Sequence, residues 1–149
     1  MERIQAEDKE LFLILVKNPT GFNEVLRTLF TDGSRKNLLM LLNDNIADGQ
    51  DVSWVWDVDF ELVSRRQDEV VFCVTSGIRA EDMACRLKYA GLDPRKIAIE
   101  RDMRRAVATC LARMAGGETL YVLPTYTAML GIRDVIRKMG YTKRYWEAG

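Results

Sequence analysis

Short, unbroken apolar runs alternate along this chain with longer stretches in which apolar residues return every three to four positions. Residues 11–16 are continuously apolar, too short for a helix, and closed by Asn18-Pro19-Thr20-Gly21, so they predict a buried strand feeding a turn. Phe22, Val25, Leu26, Leu29 and Phe30 follow at i, i+3, i+4, i+7 and i+8, a single helical stripe that Thr31-Asp32-Gly33-Ser34 brings to an end. Residues 38–42 and 70–74 predict two more buried strands, the latter running into Thr75-Ser76-Gly77. A helix carrying Ala80, Met83, Ala84 and Leu87 comes next, stopped by Gly91-Leu92-Asp93-Pro94, and residues 97–99 form a short strand. Met103, Ala106, Val107, Cys110, Leu111 and Met114 trace another helix up to Gly116-Gly117; residues 120–123 are a fifth strand, and Ile132, Val135, Ile136 and Met139 mark a last helix. Such alternation predicts an α/β, Rossmann-like three-layer domain with a mostly parallel sheet covered on both faces.

Length and composition narrow the picture. At 149 residues and 48% apolar content, residues 1–149 are expected to form one domain that buries roughly 70% of the unfolded chain's surface. The 22 basic residues balance 22 acidic ones, so the broad positive footprint of a nucleic-acid binder is missing; Arg137, Lys138, Lys143 and Arg144 read as a solvated helix end. Three cysteines without CxxC spacing argue against a disulfide framework and a zinc site. Cys73 and Cys110 read as core residues and Cys85 as partly exposed. No apolar stretch approaches the ~18 residues of a membrane span, and the N-terminus is too acidic for a signal peptide, so a cytoplasmic location is expected. Neither GxGxxG nor GxxxxGK[ST] occurs, so the chain has no self-sufficient phosphate cradle.

Residues 43–61 depart from this regularity. They hold five aspartates, Asp44, Asp48, Asp51, Asp57 and Asp59, with Trp54 and Trp56, directly after an apolar strand. Carboxylates at the carboxyl edge of an α/β sheet lie where such folds keep their sites. Each also has a plainer role open to it: Asp44 and Asp48 as turn formers next to Gly49, Asp57 and Asp59 as caps or solvated groups, Asp51 as a helix N-cap before Val52-Ser53-Trp54. Trp54 and Trp56 suit either core or interface, and Phe60 suits the core. An aspartate cluster also suits Mg²⁺-dependent phosphoryl chemistry, which would need carboxylates such as Asp44 and Asp48 on one ion, so a small Mg²⁺-dependent enzyme is one alternative and a non-catalytic interaction module another.

Four segments in order, LVKNPTGFNEVLRTL, LLNDNIADGQDVSWVWDVDFE, TSGIRAEDMACRLKYAG and LYVLPTYTAML, resemble the C-terminal domain of MurT, the Mur-ligase-like subunit of lipid II isoglutaminyl synthase. The resemblance runs from about residue 11 to residue 146. It implies the fold of Mur ligase C-terminal domains, with Asn18-Pro19 at that family's HNP-like turn and Lys17 where many Mur ligases have histidine. It implies a complete enzyme that uses ATP and Mg²⁺ to activate the α-carboxylate of D-glutamate in lipid II, then aminates it with ammonia from a separate GatD-type glutaminase. This chain lacks the P-loop and cysteine-rich ribbon of a whole MurT subunit. It is therefore expected to be part of a longer ligase subunit, inactive alone and without tight nucleotide or metal binding of its own.

In that family an aspartate of the C-terminal domain completes the glutaminase's Cys-His pair across the subunit interface. The DVSW motif places it on Asp51, with Asp48 and Asp57 as competitors. A triad needs an imidazole, and this chain contains no histidine, so the partners of such an aspartate must come from another chain. The remaining candidates face a ligand cleft: Asn18 at the turn; Arg79, placed either for an anionic ligand or for a salt bridge with Glu81 or Asp82; and Thr125 and Tyr126, whose other roles are N-cap and core filler.

Overall fold

The computed structural model describes residues 1–143. Its strands are β1 (Glu2–Ala6), β2 (Lys9–Leu13), β3 (Lys36–Leu41), β4 (Val70–Ser76), β5 (Ile97–Ile99), β6 (Thr119–Pro124) and β7 (Thr142–Lys143), and its helices α1 (Pro19–Leu29), α2 (Glu61–Arg65), α3 (Ala80–Tyr89), α4 (Met103–Arg113) and α5 (Tyr126–Lys138). Among the described residues the strands form one sheet in the order β5-β4-β3-β6-β2-β1-β7. The five strands from β5 to β2 are parallel, while β1 and β7 add antiparallel pairs at one edge. The sheet is thus mixed but mostly parallel, as the alternating pattern predicts. Central β3 is buried along its whole length, which is why Leu38, Leu39, Met40 and Leu41 run on without polar interruption.

Two cores cover the sheet. On one face Phe22, Leu26 and Leu29 of α1 and Met83 and Leu87 of α3 pack on Leu38, Met40 and Cys73. On the other, Ala106, Val107 and Cys110 of α4 and Ala128, Ile132 and Ile136 of α5 pack on Leu39, Leu41, Phe72 and Val74. Cys73 and Cys110 are buried and Cys85 is exposed. Arg137 and Lys138 both pair with Asp134, at 2.5 and 2.9 Å, and Arg144 lies outside the described residues.

Two regions differ from the sequence expectation. The N-terminal residues, read only as an acidic start, form β1 and turn through Glu7-Asp8 into β2; Ile4 and Ala6 alternate inward to supply its only apolar contacts. Such a sparse period-2 signal is hard to see among six charged neighbours in ten residues. The second is the β3-to-β4 crossover. A single amphipathic helix normally fills this layer. Here it is built from 3-10 turns at Ile46–Asp48, Ser53–Asp57 and Gln67–Glu69 and the short α2.

Candidate functional site

The chain leaves β3 toward the face of α1 and α3, but leaves neighbouring β6 toward the face of α4 and α5. A crevice opens where their carboxyl ends lie side by side, the position at which open α/β sheets hold ligands. Asn43 fills its floor. Its N–H donates to Thr125 Oγ1 at 3.1 Å, its Nδ2 donates to Thr127 Oγ1 at 3.0 Å, and its Oδ1 accepts from the Ile78 N–H at 2.9 Å. One buried amide thereby ties together the loops that follow β3, β4 and β6. Gly77 makes this possible: a Cβ there would stand 2.7 Å from Asn43 Oδ1 and 2.8 Å from the Leu42 carbonyl oxygen, and the residue's φ is +90°.

Asp48 joins the same network. Its Oδ1 accepts from the Thr127 N–H at 2.7 Å, while Oδ2 accepts the Thr127 hydroxyl at 2.5 Å and the Asn45 N–H at 3.2 Å. This carboxylate therefore occupies the amide end of α5, where the helix dipole would otherwise favour an anion. Thr125 is the residue preceding α5, but its hydroxyl accepts from Asn43 rather than capping the helix. Tyr126 is 48% exposed, not the core filler that was one of its two readings. Beside the network lies an open cleft of about 320 Å³ lined by Lys17, Ala47, Asp48, Thr125 and Tyr126.

Asn18 and Arg79 sit at the same edge of the sheet. Asn18 is exposed and caps α1, its Oδ1 accepting from the Gly21 N–H at 2.8 Å. Arg79 is clamped between two carboxylates, donating to Asp82 at 2.7 and 3.0 Å and to Asp44 at 2.9 Å. Glu81 pairs instead with Arg101. Asp44 and Asp48 thus serve different partners, and among the described residues no three carboxylate or thiol groups converge as a metal site would require.

The second half of the acidic segment is built differently. Val52, Val55 and Val58 are buried at a spacing of three, the repeat of a 3-10 turn, and they fasten the turn Ser53–Asp57 to the core of α1 and α3. Trp54 is partly buried against Phe22, ring centroids 6.3 Å apart, so it belongs to the core margin. Trp56 points the other way, half exposed, with its ring edge-on to exposed Tyr89 at 5.7 Å. Tyr89 in turn borders a groove of about 580 Å³ between α3 and the edge strand β5, lined chiefly by Ala84, Cys85, Tyr89, Pro94, Ile97 and Ile99. Glu81 and Lys88 add charged groups to an otherwise mainly apolar lining, which suits a contact surface.

Asp51 lies at the start of this turn, exposed, its Oδ1 accepting from the Ser53 N–H at 2.9 Å. Hydrogen bonding from the Ser53 backbone and then its side chain holds the carboxyl below the usual aspartate range, so it is ionised at neutral pH. Among the described residues nothing beyond Ser53 engages it. Asp57 is exposed as well, with no hydrogen bond or ion pair among the described residues, and Asp59 pairs with Arg65 at 3.4 Å. Of the three carboxylates singled out by sequence, Asp48 is turned inward and both oxygens are committed; Asp51 and Asp57 face outward.

Sequence reasoning passed over three residues of this region. Asn43 and Thr127 had only their positions beside strand and helix ends to mark them. Arg86 had a clearer sign: it falls on the apolar stripe of α3, three residues after Met83 and four before Ala90, where a charge must find partners.

The fold just described is that of Mur ligase C-terminal domains. A domain of a putative UDP-N-acetylmuramate:L-alanyl-gamma-D-glutamyl-medo-diaminopimelate ligase from Haemophilus ducreyi 35000HP superposes with a TM-score of 0.50 at 9% identity, over 85% of this chain and 87% of that one. A UDP-N-acetylmuramoyl-L-alanyl-D-glutamate--2,6-diaminopimelate ligase superposes with a TM-score of 0.53 at 13% identity, over 94% of this chain and 31% of that one. Within that fold the chain belongs to the MurT ligase C-terminal family, whose model matches residues 15–129. It is 37% identical over 138 residues to the lipid II isoglutaminyl synthase (glutamine-hydrolyzing) subunit MurT of Staphylococcus aureus (strain COL), covering 93% of this chain and 30% of that protein. The corresponding subunit of Streptococcus pneumoniae (strain ATCC BAA-255 / R6) is 33% identical over 135 residues, 91% of this chain and 29% of that protein. The chain thus spans about three-tenths of the length of these curated relatives. No helix among the described residues is long and apolar enough to cross a membrane.

Proposed function

We propose that this domain serves the ligase subunit of a cytoplasmic lipid II isoglutaminyl synthase, docks a GatD-type glutaminase, and lends Asp51 to that glutaminase's Cys-His pair. The observation that carries this reading is the state of Asp51: exposed, ionised, steadied by Ser53 alone, and in a chain without a histidine of its own. A carboxylate in that state can accept the N–H of an imidazole brought by another chain, hold the ring in the tautomer that activates a thiol, and stabilise the imidazolium that forms. Asp48 is the weaker competitor because both of its oxygens are already spent on Thr127 and Asn45. Trp56, on the turn that follows Asp51, and Tyr89 offer the exposed aromatic surface that protein interfaces favour.

ATP and Mg²⁺, which activate the D-glutamate α-carboxylate in such a synthase, do not fit this domain's residues taken alone. Asp48 already fills the amide end of α5, Arg79 is neutralised by Asp44 and Asp82, and the aspartates diverge. Their binding falls to the rest of a complete ligase subunit.

The test is glutamine hydrolysis by the glutaminase assembled with the complete ligase subunit. Asp51→Asn should lower kcat by roughly 10²- to 10⁴-fold in a complex that still forms, whereas Asp48→Asn should leave it within a few-fold. Unimpaired hydrolysis by the Asp51→Asn complex would remove the catalytic part of the reading and leave a docking module.

A further inference from the structure

One guanidinium closes the turn that carries Asp51. Arg86 comes up from α3 with only 3% of its surface exposed. Its Nε donates to the Val55 carbonyl at 3.0 Å and its Nη2 to the Val58 carbonyl at 2.7 Å, the first inside the Ser53–Asp57 turn and the second just past its end. Nη1 and Nη2 also grip the two oxygens of Glu61 at 3.0 and 2.9 Å, at the first residue of α2. The rings of Trp56 and Phe60 lie 5.1 and 5.4 Å from its central carbon. Four hydrogen bonds from one planar fork span Val55 to Glu61, an arrangement that a lysine cannot reproduce.

The turn needs such a clasp. It is a five-residue 3-10 element, closed at its ends by the bonds from Val55 N–H to the Val52 carbonyl and from Val58 N–H to the Val55 carbonyl, and no longer helix continues it. Val52, Val55 and Val58 press it onto the core, which fixes its depth. Apolar contacts are not directional, so they leave its rotation over the sheet poorly fixed. The orientation of Asp51 is set by Ser53, the first residue of the turn, and therefore by whatever orients the turn.

We propose that Arg86 is a positioning residue for glutamine hydrolysis: by clasping Val55, Val58 and Glu61 it fixes the direction in which Asp51 meets the imidazole of the partner glutaminase. The inference rests on the role of Asp51 proposed above. Displacement of an orienting carboxylate by about 1 Å costs on the order of 10²-fold in rate while substrate binding, which takes place in the glutaminase, is untouched.

The experiment compares Arg86→Lys, Val107→Ala and Asp51→Asn in the complete ligase subunit assembled with its glutaminase, measuring kcat and KM for glutamine, complex affinity and the unfolding midpoint. Val107 lies in the opposite core, buried under α4, and its truncation destabilises the domain without touching the clasp. Arg86→Lys should lower kcat roughly 10- to 100-fold with KM changed less than about 2-fold, while Val107→Ala leaves kcat of the assembled complex near the parent value. Equal losses in both variants, or none in Arg86→Lys, would overturn the proposal. Should Arg86→Lys fail to assemble, Glu61→Ala decides, because it loosens the clasp from its half-exposed side: a kcat loss of roughly 3- to 10-fold supports the proposal and an unchanged kcat overturns it. Asp51→Asn separates the two levels. Full activity in that variant sinks the role of Asp51 itself, whereas its inactivity beside a fully active Arg86→Lys complex sinks the clasp alone.

Discussion

The two halves of the acidic crossover put the same residue type to opposite uses. From Asn43 to Asp48 the polar groups are taken up within the chain: Asn43, Asn45 and Asp48 converge on Thr127 and lock the ends of β3, β4 and β6 into one piece, while Asp44 pairs with Arg79. From Asp51 to Asp57 the aliphatic residues turn inward and the carboxylates outward, with Arg86 gripping the backbone from beneath. The first half is a joint and the second a platform. Counting aspartates near a sheet edge cannot tell the two apart. Their partners can, since a carboxylate saturated by backbone and hydroxyl donors has little left for a substrate or another subunit.

Substitutions can break this contrast in graded fashion. The largest effect on stability should come from Phe60→Ala, which removes a fully buried ring packed 4.9 Å from Phe22 and beneath Arg86; it should cost about 3–5 kcal/mol in denaturant unfolding and loosen the platform before the joint. Asp48→Ala should cost less, about 1–2 kcal/mol, through the uncapped end of α5, with hydrolysis by the assembled complex scarcely changed. Asp51→Ala should reverse that pattern, abolishing hydrolysis while the unfolding midpoint stays in place. A comparable drop in midpoint for Asp51→Ala and Asp48→Ala would erase the distinction between the halves.

Smaller effects sharpen it further. The Arg86 guanidinium holds the Glu61 carboxyl below its usual range, so this pair contributes stability above the ordinary carboxylate pKa and loses it only as pH falls through the lowered value. Parent and Glu61→Gln should differ in unfolding midpoint at pH 7 and converge in acid; a difference that grew in acid would contradict the pairing. Thiol labelling gives the smallest signal. Burial pushes the Cys110 thiol up to about 12 and the Cys73 thiol further, so iodoacetamide on the native protein should add a single adduct, at Cys85, read by mass spectrometry.

The parallel layers were legible in the pattern because β3 and β4 are buried on both faces and α1, α4 and α5 are amphipathic over three turns or so, where periodicity speaks loudly. Strand β1 was not, because Ile4 and Ala6 alone carry its inward face. The crossover was missed for another reason: Val52, Val55 and Val58 repeat every three residues, a period that neither helix nor strand templates contain. The aspartates themselves stood out, whereas their division into joint and platform depended on Thr127 and Arg86, 79 and 31 to 28 residues away from the groups they hold, and such pairings exist only after folding.

The edge arrangement of β1 and β7 adds a mechanical consequence. Ile4 pairs with Lys143, so both ends of the described chain leave from the same side of the sheet, opposite β5. A neighbour joined at either end would grip the domain there, and the β3-to-β4 crossover lies three to four strands further in, an arm of about 15–19 Å. Pivoting the sheet by about 10° around that edge would carry the crossover through roughly 3 Å, the length of one hydrogen bond. On the role proposed for Asp51, domain rotation and the reach of that carboxylate would be a single mechanical coordinate, and a lever of this length would turn a modest swing into contact or its loss.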